Sequence, residues 1–133
     1  MGRSGEVGDA LGSHLIACRI VEALIKITFL LEREYYPYSK WLGTAFKPLA
    51  SYPKLMPHFW GVLHAAEWQE REQHLSAAYT TVLALHNRVA GLPAVEPQVS
   101  RFHERPFLVS HAGRIATGLR AAIEDKSILS AAH

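Results

Sequence analysis

The chain has 133 residues, of which 49% are hydrophobic and 20% are charged, and its formal net charge at pH 7 is +2. These values are typical of one soluble domain over residues 1–133, and so small a charge gives no strong nucleic-acid signal. The single cysteine, Cys18, cannot form an internal disulfide. The longest apolar run, Ile20–Leu31, is interrupted by Glu22 and Lys26 and falls short of a membrane span. We therefore expect a cytoplasmic protein without a membrane partner.

The first predicted helix runs from about Ala10 to Glu34. Its polar residues form one narrow stripe, which consists of Arg19, Glu22, Lys26 and Arg33. Such a wide apolar face predicts neighbours on at least two sides. Asp9 or Ser13 is placed to cap the first turn. Residues 1–9 are polar and glycine-rich and are expected to be flexible, and Cys18, on the apolar side, is expected to be buried.

Two short helices are predicted next. Pro37 ends the first helix, because a proline pushes the residue before it out of the α region. Ser39 is expected to cap a short helix over residues 40–47. Another short helix is predicted over residues 53–63, since Pro53 fits the first turn of a helix.

The second half of the chain is predicted to contain two more amphipathic helices. From Glu67 to about Ala90, apolar residues recur at helical spacing, namely Leu75, Ala78, Tyr79, Val82, Leu85 and Val89. Gly91 and Pro93 follow in the order that ends a helix. Residues 92–109 are predicted to form a long loop, and the last helix follows with Ser110 as its candidate cap. The predicted fold class is all-α, a helical bundle of about three long and two or three short helices.

The chemically densest segment is Tyr35–Trp41. Aromatic rings beside a cationic group can stack on a base and hold a phosphate or carboxylate. The candidate ligand-binding residues in this segment are Tyr36, Tyr38, Ser39, Lys40 and Trp41. The alternative is that the rings plug the base of the bundle while Lys40 lies in solvent.

A second polar group spans the end of the long helix and the loop after it. Its candidate ligand-binding residues are His86, Asn87, His103 and Arg105. Helix ends and loops often carry function, and the planar guanidinium of Arg105 could hold a carboxylate or phosphate. His86 equally fits as a cation that complements the helix dipole. Arg105 equally fits a structural ion pair, for which the candidates are Glu32, Glu34 and Glu104.

Patterns for catalysis or metal binding are scarce. Four residues would share one face if residues 64–74 were one helix, namely His64, Glu67, Glu70 and His74. A bundle metal site also needs matching ligands on a facing helix, and no other segment offers them. Asp9 and Asp125 are the two aspartates, whereas metal-dependent phosphoryl transfer needs clustered carboxylates. We therefore predict no metal site and no catalytic residue, and the sequence identifies no cofactor.

Several segments of the sequence resemble a known family. They are Gly8–Ser13, Phe29–Arg33, Tyr36–Phe46, His86-Asn87 and Phe102–Phe107. In this order, over nearly the whole chain, they resemble the domain of unknown function 4037. In that family such a helical region is similar to the C-terminal half of a larger protein, whose N-terminal half resembles polymerase-beta-type nucleotidyltransferases.

The resemblance implies a fold and a partner. The chain would resemble a nucleotidyltransferase substrate-binding domain, the helical partner of a nucleotidyltransferase-like catalytic domain that these residues do not supply. Magnesium and a nucleotide would be involved only together with that domain. The missing signature, a Gly-Ser followed by paired aspartates, implies that the isolated chain is not catalytic.

Two functions from different classes follow. One is a non-catalytic substrate- or nucleotide-binding domain, in which residues 36–41, His86, Asn87, His103 and Arg105 line one cleft. The other is a structural or interaction module, in which the same residues pack and form hydrogen bonds internally while exposed apolar surface forms a homodimer.

Overall fold

The computed structural model describes residues 1–96, 99–101, 103–125 and 127. Its helices are α1 (Gly2–Glu6), α2 (Ala10–Leu31), α3 (Ser39–Phe46), α4 (Tyr52–His64), α5 (Trp68–His86) and α6 (Ala112–Ala121), and its strands are β1 (Ser100–Arg101) and β2 (Leu108–Val109). The two strands pair antiparallel. The described part of the chain is thus mostly helical, as predicted, with a small ribbon inside the predicted loop. Phe102, part of one resembling segment, lies outside the described residues.

The core lies around α2, which contacts α1, α3, α4 and α5. Its buried apolar side chains are Ala17, Val21, Leu24, Phe29, Leu42, Phe46, Leu49, Leu55, Phe59, Val62, Leu75, Ala78 and Val82. Each large apolar side chain buried in this way contributes about 1.5–3 kcal/mol, so packing more than helix propensity holds the elements together. The α6 helix buries no residue and lies outside this core. No helix of the described part is long and apolar enough to cross a bilayer.

Cys18 differs from its prediction. The sequence places it on the apolar side of the first helix and predicts a buried thiol, but the structure exposes it. The neighbouring Ala17 and Val21 occupy the buried positions instead. The apolar face of α2 is wider than the surface that its neighbours cover, so apolarity alone could not place Cys18.

The helix caps agree with the sequence prediction in one case and differ in two. Asp9 caps α2, its Oδ1 accepting a backbone N–H three residues on at 2.8 Å. Ser39 is not a cap, since α3 begins at Ser39 itself, and its hydroxyl donates to Glu22. Ser110 is not a cap either, because the residue before α6 is His111, in a left-handed conformation with φ of 52°.

The end of α2 is a Schellman turn. The N–H of Arg33 donates to the carbonyl of Leu30 at 3.1 Å, and the N–H of Glu34 donates to the carbonyl of Phe29 at 2.9 Å. Arg33 has φ of 61°, the left-handed conformation that glycine usually supplies at this position. Arg33 therefore adopts a backbone conformation in which glycine would be less strained.

The carboxylate of Glu32 ties this turn to α4. It accepts hydrogen bonds from the N–H of Ala50 at 2.9 Å, from the N–H of Ser51 at 3.0 Å and from the Ser51 hydroxyl. Because Ala50 and Ser51 immediately precede α4, the end of α2 and the start of α4 are adjacent. The segment before α3 is looped out between these two anchored ends.

The α1 helix lies where the sequence predicts a flexible segment over residues 1–9. Glycines allow it to approach the rest of the molecule closely. A Cβ at Gly5 would lie 2.3 Å from the indole of Trp68, and one at Gly2 would lie 2.5 Å from the Cβ of Phe107. Helix propensity disfavours so many glycines, but the contact they permit outweighs propensity here.

Arg71 is a buried cation that joins three elements. It is 1% exposed, and its guanidinium donates to the Ser13 hydroxyl at 2.9 Å, to the carbonyl of Ala65 at 2.9 Å and to a ring nitrogen of His14 at 2.6 Å. Among the described residues no carboxylate forms an ion pair with it. These hydrogen bonds hold α2, the α4–α5 connection and α5 together at this point.

Candidate functional site

The predicted aromatic segment forms an exposed surface beside α2. Tyr36, Tyr38 and Trp41 are 44%, 68% and 50% exposed, respectively, and Lys40 is exposed as well. The buried positions of α3 are taken by Leu42 and Phe46. The three rings therefore face solvent and do not plug the base of the bundle.

Two lysines lie against these rings. The Nζ atom of Lys26 is 5.6 Å from the ring centroid of Tyr36, and that of Lys40 is 5.3 Å from the ring centroid of Trp41. Such pairs are worth about 0.5–1 kcal/mol at exposed sites. We call this set the aromatic–lysine surface, and it consists of Lys26, Tyr36, Tyr38, Lys40 and Trp41.

Glu22 connects this surface to α2. Its Oε1 accepts hydrogen bonds from Lys26 Nζ at 2.7 Å and from the Ser39 hydroxyl at 3.3 Å. The hydrogen bond from Lys26 is the main reason that the pKa of Glu22 is lowered, and the same bond raises the pKa of Lys26. Both groups are therefore charged at neutral pH, and Ser39 positions the surface through Glu22.

The aromatic–lysine surface has the chemistry of a binding site. Its ring faces can stack on a base, which is worth about 1–3 kcal/mol per base, and its ammonium groups can pair with phosphate or carboxylate. Its titratable groups are phenols and lysines, and within the described residues the carboxylate that contacts it, Glu22, is already bonded to Lys26. The arrangement can hold an anionic ring compound but offers no free general base.

His86 and Asn87 lie together at the end of α5. His86 is 6% exposed, its Nδ1 is 3.2 Å from the side-chain oxygen of Asn87, and its buried Nε2 has no hydrogen-bond partner in the described part of the chain. Asn87 holds the next loop, donating to the carbonyl of Val95 at 2.7 Å and accepting from its N–H at 2.9 Å. Asn87 therefore has a structural role.

Arg105 and His103 lie in the connection between the strands. Arg105 Nη1 is 3.8 Å from Glu6 Oε1, so its observed ion-pair partner is on α1, and none of Glu32, Glu34 and Glu104 takes that place. Glu32 and Glu34 follow the C-terminal end of α2, whereas α1 precedes the start of α2. The sequence did not indicate this ion pair because α1 itself was not predicted. His103 is exposed and has φ of 54°.

The predicted residues do not gather at one place. The strand after Arg105 is attached near the start of α5, where the N–H of Leu108 donates to Glu72 Oε1 at 2.7 Å. From Glu72 to His86 the helix extends about 20 Å at 1.5 Å per residue. His86 and Asn87 thus lie at one end of α5, Arg105 lies near the other, and the aromatic–lysine surface lies on the outer side of α2.

A groove that is lined by one of the nine candidate residues lies between α2, α5 and α6. Its cavity has a volume of about 680 Å³ and is lined mainly by apolar side chains, among them Ile20, Ala23, Leu24, Ile27, Val82 and Ile115. We call it the α2–α5–α6 groove. His86 lines it, and the other eight candidate residues do not. The sequence signal for this groove was the wide apolar face of the first helix, which predicted neighbours on at least two sides.

A second cavity of about 460 Å³ adjoins the groove and shares Ile20, Tyr79, Ser110 and Ala112 with it. Glu72 lines this second cavity. Burial is the main reason that the pKa of Glu72 is raised, although its hydrogen bond from the N–H of the β2 strand opposes the effect. Burial also raises the pKa of the Tyr79 phenol. This side of the molecule therefore favours uncharged groups.

Ser100 and His111 form one nucleophile–base contact that the sequence did not indicate. The Ser100 hydroxyl is 2.6 Å from His111 Nε2. A catalytic pair also needs a group that orients the histidine, and no hydrogen bond to the other ring nitrogen joins it to the described residues. In the same described ranges, no three His, Cys, Asp or Glu side chains gather where they could hold a metal ion.

Comparison with known proteins finds a family model that matches part of the chain. No curated protein and no solved structure matches the chain. The matching family model covers the resembling segments Gly8–Ser13 and Phe29–Arg33 and extends through Trp41 of the aromatic–lysine surface, but does not reach His86. Residues 1–42, about a third of the chain, are similar to the family described as Domain of unknown function (DUF4037).

Proposed function

We propose that this chain is a non-catalytic recognition domain that binds a nucleotide, or a nucleotide-bearing acceptor, on the aromatic–lysine surface. The observation that carries the proposal is the exposure of Tyr36, Tyr38 and Trp41 beside two ammonium groups. Burying a large ring stabilises a fold by about 1.5–3 kcal/mol, and these three rings, which are about half exposed, lack about half of that stabilisation. A ligand that stacks on them would recover part of it.

The proposed partner is a nucleotidyltransferase-like catalytic domain outside these residues. The family resemblance alone supports this partner. The family match over residues 1–42 strengthens that resemblance. The chain's two aspartates, Asp9 and Asp125, are far apart in sequence, and carboxylates that hold catalytic metal ions must cluster. We therefore assign recognition to this chain and chemistry to its partner.

Calorimetric titration with ATP, GTP, CTP and inorganic triphosphate tests the proposal. Stacking on one ring is worth about 1–3 kcal/mol, so Trp41→Ala should weaken nucleotide binding by roughly tenfold or more. Trp60→Ala is the matched control, because Trp60 is a similarly exposed indole, 52% against 50%, on a different helix. Equal binding by the two variants, or equal affinity for inorganic triphosphate and ATP, would contradict base stacking at this surface.

A second candidate function is self-association. Leu11 and Leu15 are exposed large apolar residues on α2 and lie on the same helical stripe as Glu22 and Lys26. They extend the aromatic–lysine surface into a longer amphipathic face, which fits a symmetric homodimer. Sedimentation velocity over a hundredfold range of protein concentration tests this function. A strictly monomeric wild type rejects it, and a dimer that Leu15→Glu dissociates supports it.

A further inference from the structure

The α2–α5–α6 groove is long, lined mainly by apolar side chains and open to solvent. The residues of α2 that line the groove run from Ile20 to Leu31, which are about 17 Å apart at 1.5 Å per residue, and Arg33 lines it just beyond the end of the helix. Its volume of about 680 Å³ falls in the range of small-molecule sites. The part between these ends is lined by hydrocarbon, so its occupant must have an extended apolar body.

The α6 helix covers one side of the groove without completing a core. Ile115 and Leu119 line the groove from α6, yet no residue of that helix is buried. Ile27 and Leu30 of α2 also line the groove and remain exposed. Apolar surface is therefore present on both walls while the space between them is unfilled.

Positive charge lies at one end of the groove. Arg33 lines both the groove and an adjoining cavity of about 330 Å³, and Arg88 lines that same cavity. Both arginines are exposed, and neither forms an ion pair within the described ranges. Glu32 also lines the cavity, but its carboxylate is bonded to Ala50 and Ser51. Among the charged residues that line this cavity, the two without such hydrogen bonds are therefore the arginines.

Two further observations favour a polar head group at this end. His86 lines the groove, and its exposure of 6% means that it is 94% buried. Its Nε2 lacks a hydrogen-bond partner among the described residues. Arg33 has the left-handed φ of 61° at a position that glycine suits better. Strained residues and unpartnered buried polar atoms concentrate at functional sites.

We propose that the α2–α5–α6 groove binds a single-chain fatty carboxylate. Its hydrocarbon chain lies along α2 between α5 and α6, and its carboxylate lies at the end marked by Arg33 and Arg88. The charge at this end favours a carboxylate over a neutral or cationic head group. This site is separate from the aromatic–lysine surface, so Trp41→Ala leaves it unchanged and either proposal can fail alone.

Titration of the full chain with dodecanoate below its micelle concentration, followed by calorimetry, tests the site. Each buried methylene lowers the Kd by about fourfold, so decanoate should bind on the order of tenfold more weakly than dodecanoate. Ala23→Phe places a ring in the groove from an exposed helical position and should weaken binding by roughly tenfold or more. Ala116→Phe, on an exposed position of α6 that does not line the groove, should bind like the wild type.

The head-group assignment is tested by comparing dodecanoate with dodecanol and dodecyltrimethylammonium. The double variant Arg33→Gly/Arg88→Gln should lose roughly tenfold in affinity for dodecanoate, since each exposed ion pair contributes at most a few-fold, and should bind dodecanol as before. Arg19→Gln/Lys54→Gln removes the same charge from positions away from the groove and should retain the preference for carboxylate. Circular dichroism establishes that each variant is folded.

Several outcomes overturn the proposal. They are an affinity that does not depend on chain length, wild-type binding by Ala23→Phe, and a preference for carboxylate that survives the loss of Arg33 and Arg88. A dimer in sedimentation that Ala23→Phe dissociates would show that a second copy of the chain, and not a fatty carboxylate, occupies the groove.

Discussion

Replacing Glu32 by alanine should destabilise the fold by about 2 kcal/mol. A hydrogen bond to a charged group contributes about 1.5–3 kcal/mol, and Glu32 accepts three, from the two N–H groups and one hydroxyl of Ala50 and Ser51. The Ala50 N–H is exposed, so water replaces much of what it loses. The partly buried bonds of Ser51 therefore dominate, and they set the magnitude near that of one full charged hydrogen bond.

Chemical denaturation and thermal unfolding measure this effect. A loss of about 2 kcal/mol lowers the Tm by roughly 8 °C for a chain of this size. Glu32→Gln keeps one oxygen acceptor without the charge and should cost about 1 kcal/mol. Glu34→Ala is the control, since Glu34 is an exposed carboxylate two residues away and should change stability by less than about 0.5 kcal/mol. Equal losses for Glu32→Ala and Glu34→Ala would refute the assigned role of the Glu32 carboxylate.

Three further predictions concern other contacts. Gly61→Ala places a Cβ 2.3 Å from the His74 ring and should lower the free energy of unfolding in urea by about 1–2 kcal/mol. Gly43→Ala, with no atom within 4 Å of the new Cβ, should raise it by up to about 1 kcal/mol. Equal effects of the two variants would contradict close packing of α4 against α5. Arg33→Gly should stabilise the fold by about 1 kcal/mol because it relieves a left-handed φ, and a loss would contradict that strain. Burial raises the pKa of Glu72, so the folded state favours the protonated form of this carboxyl group. The Tm of the wild type should therefore rise relative to that of Glu72→Gln as pH falls from 7 through the range just above an ordinary carboxyl pKa. A difference in Tm that does not depend on pH would exclude this burial.

The helices of the core could be predicted from sequence because their signals are local. The apolar spacing of Leu75, Ala78 and Val82 predicted the buried face of α5, and Asp9 predicted a cap. The α1 helix could not be predicted, since its glycines disfavour a helix locally and it forms where Trp68 packs against Gly5. The formation of α1 therefore depends on a contact between residues that are far apart in the sequence.

Site residues were less predictable than elements. The density of aromatic and cationic side chains identified Lys40 and Trp41 as candidates, but it did not decide between a binding surface and rings that plug the base of the bundle. The second cationic contact, from Lys26, depends on how the segment folds back onto α2. Arg71 lies four residues before Leu75 and seven before Ala78, so helical spacing places it on the buried face of α5. What the spacing could not give is its hydrogen-bond acceptors, which come from Ser13, His14 and Ala65. Periodicity carries no information on such pairings.

Nuclear magnetic resonance of the tryptophan indole N–H groups during titration with ATP tests the central proposal most directly. The chain has three tryptophans, and Trp41→Phe assigns the signal of the aromatic–lysine surface. Stacking of the base predicts a saturable shift of the Trp41 signal at millimolar ATP, with the Trp60 signal unchanged. An unshifted Trp41 signal, or equal shifts of both signals, would contradict nucleotide recognition at this surface.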